Sequence, residues 1–156
     1  MKNFLPSLFL AFALPAFAQS APPTGLDQNA VLQPLPERSD VLSWKTLAGV
    51  ELVRQKDRYV PRFSPAVTSL DKKEVKLQGF MMPLELGEQQ SHFVLAAMPA
   101  TCPFCMPGGP ESLVEVKMKR PVKYGFEPLL VTGRLAVLKD DPTGIFYRLS
   151  DAEQIK

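Results

Sequence analysis

The sequence predicts a mainly β fold: a small five-stranded barrel preceded by one short helix. From residue 74 onwards, about five strand-like runs follow one another with short polar connections. Glycines stand inside two of these runs, at Gly79 and Gly133, where a strand can bend sharply. The only pattern long enough for a helix lies within residues 41–70. Because an open sheet of this size would expose two edges and one face, closure into a barrel is the expected solution.

The start of the chain, which has 156 residues, is typical of a secretory signal peptide. One charge, at Lys2, precedes an apolar run from Phe4 to Phe17, and the small residues Ala16 and Ala18 fit a cleavage site. This run is shorter than the roughly 20 residues that a membrane span needs. We therefore expect residues 1–18 to be cleaved after Ala18 and the mature protein to be exported to the periplasm. An uncleaved anchor is the alternative.

The next segment, residues 19–40, is rich in Pro, Ala, Ser and Gln, which predicts a flexible leader. Residues 41–156 are then expected to form a single domain. Its helix should lie near the start of the domain, with Ser39 or Asp40 as the N-cap. The helix should be short, because Gly49 disfavours its continuation. Prolines should keep the chain extended over residues 59–65.

The strand signals follow in order and lead to the barrel. Two apolar runs flank a polar stretch that contains Gly87, which predicts a hairpin. In the third run Val114 and Val116 fall on one face, and the turn at residues 140–144 separates the last two strands. Ser150 could begin a terminal helical turn. An OB-like barrel fits this pattern best. The expected strands cover residues 74–84, 92–98, 113–119, 128–138 and 145–149.

The charge of the chain argues against one class of partner. The net charge is +2, and removal of Lys2 would bring it to about +1. The densest basic cluster, from Lys117 to Lys123, is interpreted as a solvated strand end. A nearly neutral exported protein is not expected to bind nucleic acid.

The only two cysteines lie together in Cys102-Pro103-Phe104-Cys105, followed by Met106. Thiolates at this spacing are half of a zinc or copper(I) site, and the thioether of Met106 favours copper(I). Glu111 would favour zinc. The metal ligands predicted from the sequence are therefore Cys102, Cys105 and Met106. The single histidine, His92, is expected at the start of the preceding strand, exposed and away from the cysteines.

Two other interpretations of the cysteine pair stay open. In an oxidising compartment the pair could form a small disulfide that stiffens the loop. It could also be a thiol–disulfide redox site, but the run Pro107-Gly108-Gly109-Pro110 prevents the helix that lowers a thiol pKa in thioredoxin-like proteins. No hydrolase or nucleotide-binding motif is found, so no enzymatic activity is expected.

The segment Val75 to Glu85 resembles an uncharacterised family of secreted or periplasmic bacterial proteins, which carry a VxLxGFMxPLE strand and a cysteine-containing, proline-rich loop. The resemblance extends over roughly residues 59–153. It implies an OB-like fold and a setting of transition-metal homeostasis, especially that of zinc, with an inner-membrane ABC-type transporter as the partner. Other members of the family carry Cys-x-His in the loop, where this chain has Cys102-x-Phe104 and a second thiol at Cys105.

Three functions are compatible with these observations. The first is a periplasmic protein that binds zinc or copper(I) and delivers it to a membrane transporter. The second is an interaction module with a disulfide-stiffened loop. The third is a thiol–disulfide redox protein.

Overall fold

The computed structural model describes residues 38–99 and 108–155, together with Leu35. The predicted signal peptide, most of the predicted leader, and the three predicted metal ligands Cys102, Cys105 and Met106 lie outside these residues. Within the described part of the chain, no helix has the length and hydropathy needed to cross a membrane.

Five strands close into a barrel in the order β3-β4-β5-β7-β6, which confirms the predicted fold class. All neighbours are antiparallel except β5 and β7, which are parallel. A β1–β2 hairpin lies outside the barrel. The strands are β1 (Val50–Gln55), β2 (Arg58–Phe63), β3 (Glu74–Pro83), β4 (Gln89–Ala96), β5 (Leu113–Lys123), β6 (Leu129–Val137) and β7 (Tyr147–Gln154).

Alternate residues of each strand point into the barrel, and these inward-facing residues are apolar. Val114 and Val116 of β5 are fully buried there, as the alternation predicted. Their neighbours Glu115 and Lys117 therefore lie on the outer face. The other inward side chains that define the core include Leu77, Met81, Phe93, Leu95, Val131, Leu135 and Leu149.

Both glycines inside the barrel strands stand where the strand pairing changes. Gly79 pairs with β6, and the next residue, Phe80, pairs with β4, so β3 changes neighbours there. A Cβ at Gly79 would lie 2.7 Å from the carbonyl oxygen of Ala96. At Gly133 the pairing of β6 with β7 shifts register, which is the predicted irregularity.

Two helical turns pack against the barrel core: α1 (Trp44–Leu47) and α2 (Pro65–Thr68). Leu47 and Val67 are fully buried against that core. The Tyr147 hydroxyl donates a hydrogen bond to the Leu47 carbonyl at 2.5 Å, and the Trp44 indole donates one to the Gln78 carbonyl at 2.8 Å. These two bonds attach α1 to the barrel.

The N-terminal prediction was wrong in its details. The N-cap of α1 is Ser43 rather than Ser39 or Asp40, because the Ser43 hydroxyl accepts a hydrogen bond from the Lys45 amide at 3.2 Å. The second helical turn, α2, was not predicted. Pro65 stands at its first position, where a missing N–H carries no cost, and Ser64 caps it. The tendency of proline to keep the preceding residue extended therefore holds for Ser64 but does not prevent a helix from starting at Pro65.

The predicted terminal helical turn from Ser150 is also wrong. Strand β7 continues to Gln154, which pairs with Val131, while Glu153 pairs with Thr132. Asp151 takes a positive φ of 54°, which lets the strand continue through a local irregularity. The pairing with β6 therefore outweighs the local preference of the Ser-Asp-Ala-Glu sequence.

Candidate functional site

A buried carboxylate on the outer face of the barrel organises a polar network. The side chain of Glu115 is only 8% exposed. Its Oε1 lies 2.7 Å from Nε2 of His92 on β4, and its Oε2 accepts a hydrogen bond at 2.5 Å from Nε of Arg148 on β7. The Lys117 ammonium is 3.8 Å from Oε1. The network therefore connects three neighbouring strands.

The register of the sheet explains this arrangement. Arg148 is the direct partner of Glu115 across the parallel β5–β7 pair. His92 stands diagonally across the β4–β5 pair, opposite Lys117. Cross-strand and diagonal neighbours on one face lie within reach of long side chains.

The network reaches one loop as well. A second nitrogen of Arg148, Nη2, donates to Oδ2 of Asp141 in the β6–β7 loop at 3.3 Å. Asp141 also accepts a hydrogen bond from the Thr143 amide at 2.9 Å, within the turn that the sequence predicted. Arg148 therefore ties this turn to the barrel wall.

The charges on these groups stabilise one another. Burial alone would raise the pKa of Glu115, but the hydrogen bonds from Arg148 and His92 outweigh it and hold that pKa below its usual value. The same hydrogen bond from the guanidinium to Glu115 raises the pKa of Arg148. The pKa of Asp141 is lowered, chiefly by its hydrogen bonds from Thr143. The carboxylates of Glu115 and Asp141 are thus held in their charged form.

This chemistry suits a fixed ion-pair network better than proton transfer. A carboxylate with a lowered pKa, already bonded to two cationic or potentially cationic side chains, is a poor general acid or base at neutral pH. Within residues 38–99 and 108–155, no group of three His, Cys, Asp or Glu side chains is arranged to hold a metal ion.

His92 does not match the expectation of an exposed strand-end residue. It lies within β4, its side chain is 36% exposed, and it contacts the buried carboxylate of the network. Glu115 and Arg148 were not predicted as members of any site. The sequence offered one sign of this site, which is a carboxylate placed between Val114 and Val116. The structure shows that all four residues from Leu113 to Val116 are buried.

The structure fixes both ends of the connection that carries the cysteine pair. Ala96 and Leu113 are cross-strand partners, and the Ala97 amide donates a hydrogen bond to the Ser112 carbonyl at 3.1 Å. The chain therefore leaves β4 and returns to β5 at adjacent points. At the returning end, the Glu111 carboxylate folds over Gly109, where a Cβ would lie 2.5 Å from Glu111 Oε2.

Residues 32–151 match the model of the DUF3299 family, whose members are described as proteins of unknown function. The chain belongs to this family. The match covers the polar network, the cysteine-bearing connection and all of the barrel except the last three residues of β7, and it confirms the resemblance to an uncharacterised family.

Comparison with solved structures found a DUF3299 protein from Pseudomonas aeruginosa PAO1 at 26% identity and a TM-score of 0.48. The alignment covers 59% of this chain and 67% of the other. No functionally curated protein matches the sequence.

Proposed function

We propose that this DUF3299 protein is a periplasmic accessory protein that binds zinc or copper(I) through Cys102 and Cys105. It would deliver the ion to an inner-membrane ABC-type transporter. The observation that carries the proposal is the CxxC pair, the only cysteines in a chain whose first residues are typical of a signal peptide. In an oxidising compartment, a cysteine pair must be bound to a metal, joined in a disulfide or actively kept reduced.

The donor set fits a transferable ion better than a permanent structural one. Two thiolates and the thioether of Met106 give three soft donors, a set that favours copper(I). A closed structural zinc site needs four ligands. Glu111 follows Cys105 by six residues and is the nearest carboxylate to the pair along the chain. Zinc would therefore rely on Glu111 or on a ligand from the partner.

The way in which the barrel holds the two ends of the cysteine-bearing connection supports the proposal. Binding residues are often carried on loops that a rigid scaffold positions. Here the ends of the cysteine-bearing connection are joined by the Ala97–Ser112 hydrogen bond and stand on adjacent barrel strands. Such a connection can present a ligand loop to a partner without disturbing the core.

The proposal is tested by titrating the reduced mature protein with zinc or copper(I), in the presence of a competing chelator and without oxygen. We expect the wild type to bind one ion per chain and the Cys102→Ser, Cys105→Ser double variant to bind none. Met106→Leu, which conserves size but removes the sulfur, should weaken copper(I) binding and leave zinc binding unchanged.

Two outcomes would replace the proposal. A wild type with reduced thiols that binds neither ion would favour the interaction module with a disulfide-stiffened loop. Rapid alkylation of Cys102 at mildly acidic pH would instead indicate a lowered thiol pKa and a thiol–disulfide function.

A further inference from the structure

Two loops at one end of the barrel expose large apolar side chains. Leu84 and Leu86 of the β3–β4 loop are 54% and 101% exposed, and Phe126 of the β5–β6 loop is 63% exposed. The two loops leave the sheet side by side, because the Tyr124 amide donates to the Glu88 carbonyl at 2.8 Å. We name Leu84, Leu86 and Phe126 the apolar tip.

The β3–β4 loop is held in one conformation by hydrogen bonds to the start of β4. The Glu85 carboxylate accepts from the Ser91 amide at 3.1 Å and from the Ser91 hydroxyl at 3.0 Å. The side-chain amide of the buried Gln90 donates from Nε2 to the backbone carbonyls of Glu85 and Gly87 at 3.2 and 2.7 Å. Leu84 and Leu86 therefore project from a loop whose backbone is fixed, and presenting them costs little further ordering on binding.

The ring of Phe126 is held in place by packing on a neighbouring aromatic residue, Tyr124. The two rings pack edge-to-face, with centroids 5.3 Å apart, and the half-buried Tyr124 in turn packs on the barrel core. Aromatic residues are enriched among the side chains that anchor protein interfaces. Phe126 is thus an exposed aromatic ring on a fixed support.

The charged side chains within the two loops are all acidic: Glu85, Glu88 and Glu127, each exposed. Arg120 and Lys123 are exposed on the adjoining end of β5 and belong to the basic cluster of that strand. The tip also lies at the opposite end of β4 from the cysteine-bearing connection, about 26 Å away for eight residues of strand. Contacts at the tip would therefore leave that connection free.

We propose that the apolar tip docks into an apolar pocket of a protein partner whose rim carries Lys or Arg side chains. The exposed leucines and Phe126 fill the pocket, and Glu88 and Glu127 pair with the basic rim. The acidic loops disfavour an anionic lipid surface, which would repel them. This inference does not depend on metal binding.

The test begins with a photoreactive amino acid placed at Leu86, at Phe126 or, as the control, at Tyr59 in producing cells. Tyr59 is 67% exposed but lies on the β1–β2 hairpin. We expect the same protein to be cross-linked from positions 86 and 126 and not from 59. That protein is then purified and its affinity for the full mature chain is measured.

The affinity measurements separate the two parts of the proposal. Leu86→Ser should weaken binding about tenfold or more, as loss of an interface anchor does. The Glu88→Lys, Glu127→Lys double variant should weaken it most at low salt, and Tyr59→Ser should leave it unchanged.

Several results would overturn the proposal. One is cross-linking at Leu86 no stronger than at Tyr59, and another is cross-linking to a second copy of the chain. A third is sedimentation with phosphatidylethanolamine–phosphatidylglycerol vesicles that Leu86→Ser abolishes, since this would assign the apolar tip to a lipid surface. A partner that binds Leu86→Ser and the Glu88→Lys, Glu127→Lys double variant as tightly as the wild type would also contradict the proposal.

Discussion

Nε2 of His92 lies 2.7 Å from Oε1 of Glu115, across the β4–β5 pair and on the outer face of the barrel. The opposite oxygen of the same carboxylate is bonded to Arg148 of β7. One buried carboxylate therefore connects three strands on the side of the sheet that faces away from the apolar core. The first two predictions follow from this contact.

Replacing Glu115 with Gln should destabilise the protein by about 2–3 kcal/mol, because the Arg148 guanidinium would lose the nearer of its two carboxylate partners in a partly buried site and keep only Asp141. Thermal or chemical unfolding measures the change. Glu51→Gln on β1 is the control, since Glu51 is exposed and its replacement should change the stability by less than about 0.5 kcal/mol. Equal stabilities of the two variants would contradict the structural role given to Glu115.

The same contact predicts a pH dependence of stability. Because the pKa of Glu115 in the folded protein lies below its unfolded value of 4.5, its stabilising contribution is present above that pH. It should be lost as the pH falls through the folded pKa. Unfolding curves from about pH 6 down to about pH 2 should therefore show a steeper loss of stability for the wild type than for Glu115→Gln. Parallel curves would argue against a lowered pKa.

Removing one hydroxyl should loosen the attachment of α1. In Tyr147→Phe, the Leu47 carbonyl loses its hydrogen-bond donor in a buried site, which should cost about 1–2 kcal/mol. The single tryptophan, Trp44, lies in α1 and reports on its packing through fluorescence. Tyr59→Phe, at an exposed position, should change neither stability nor fluorescence. An unchanged stability of Tyr147→Phe would show that this bond does not hold α1 in place.

A methyl group at Gly79 should disturb the barrel wall. In Gly79→Ala the new Cβ would lie 2.7 Å from both the Ala96 carbonyl oxygen and Cγ of Leu95, so backbone must move. We expect a loss of about 1–3 kcal/mol in an unfolding experiment. Gly125→Ala is a matched control, because a Cβ there meets nothing within 4 Å. A Gly79→Ala variant no less stable than Gly125→Ala would contradict the close approach of β3 to Ala96 at Gly79.

The barrel could be predicted because its signals are local. The alternation around Val114 and Val116, the turn at residues 140–144 and the glycines at 79 and 133 each lie within a few residues of what they determine. The error at the C-terminus arose because strand pairing decided the outcome there. The segment after Ser150 has no strong strand pattern, and it becomes part of β7 only because β6 lies beside it.

The polar network could not be predicted for the same reason. His92 and Arg148 are 23 and 33 residues from Glu115 along the chain, and only the strand register brings them together. The apolar tip also depends on the neighbouring positions of two loops. The cysteine pair can be recognised without any knowledge of strand pairing, since its spacing is contained in four consecutive residues, and its role as a metal site stays a prediction.

The most direct test of the proposed function is the metal content of the mature protein isolated without oxygen from the cells that produce it. Elemental analysis should find zinc or copper bound to the wild type and absent from the Cys102→Ser, Cys105→Ser variant, with both proteins folded to the same extent. A metal-free wild type whose two cysteines are joined in a disulfide would contradict the proposal.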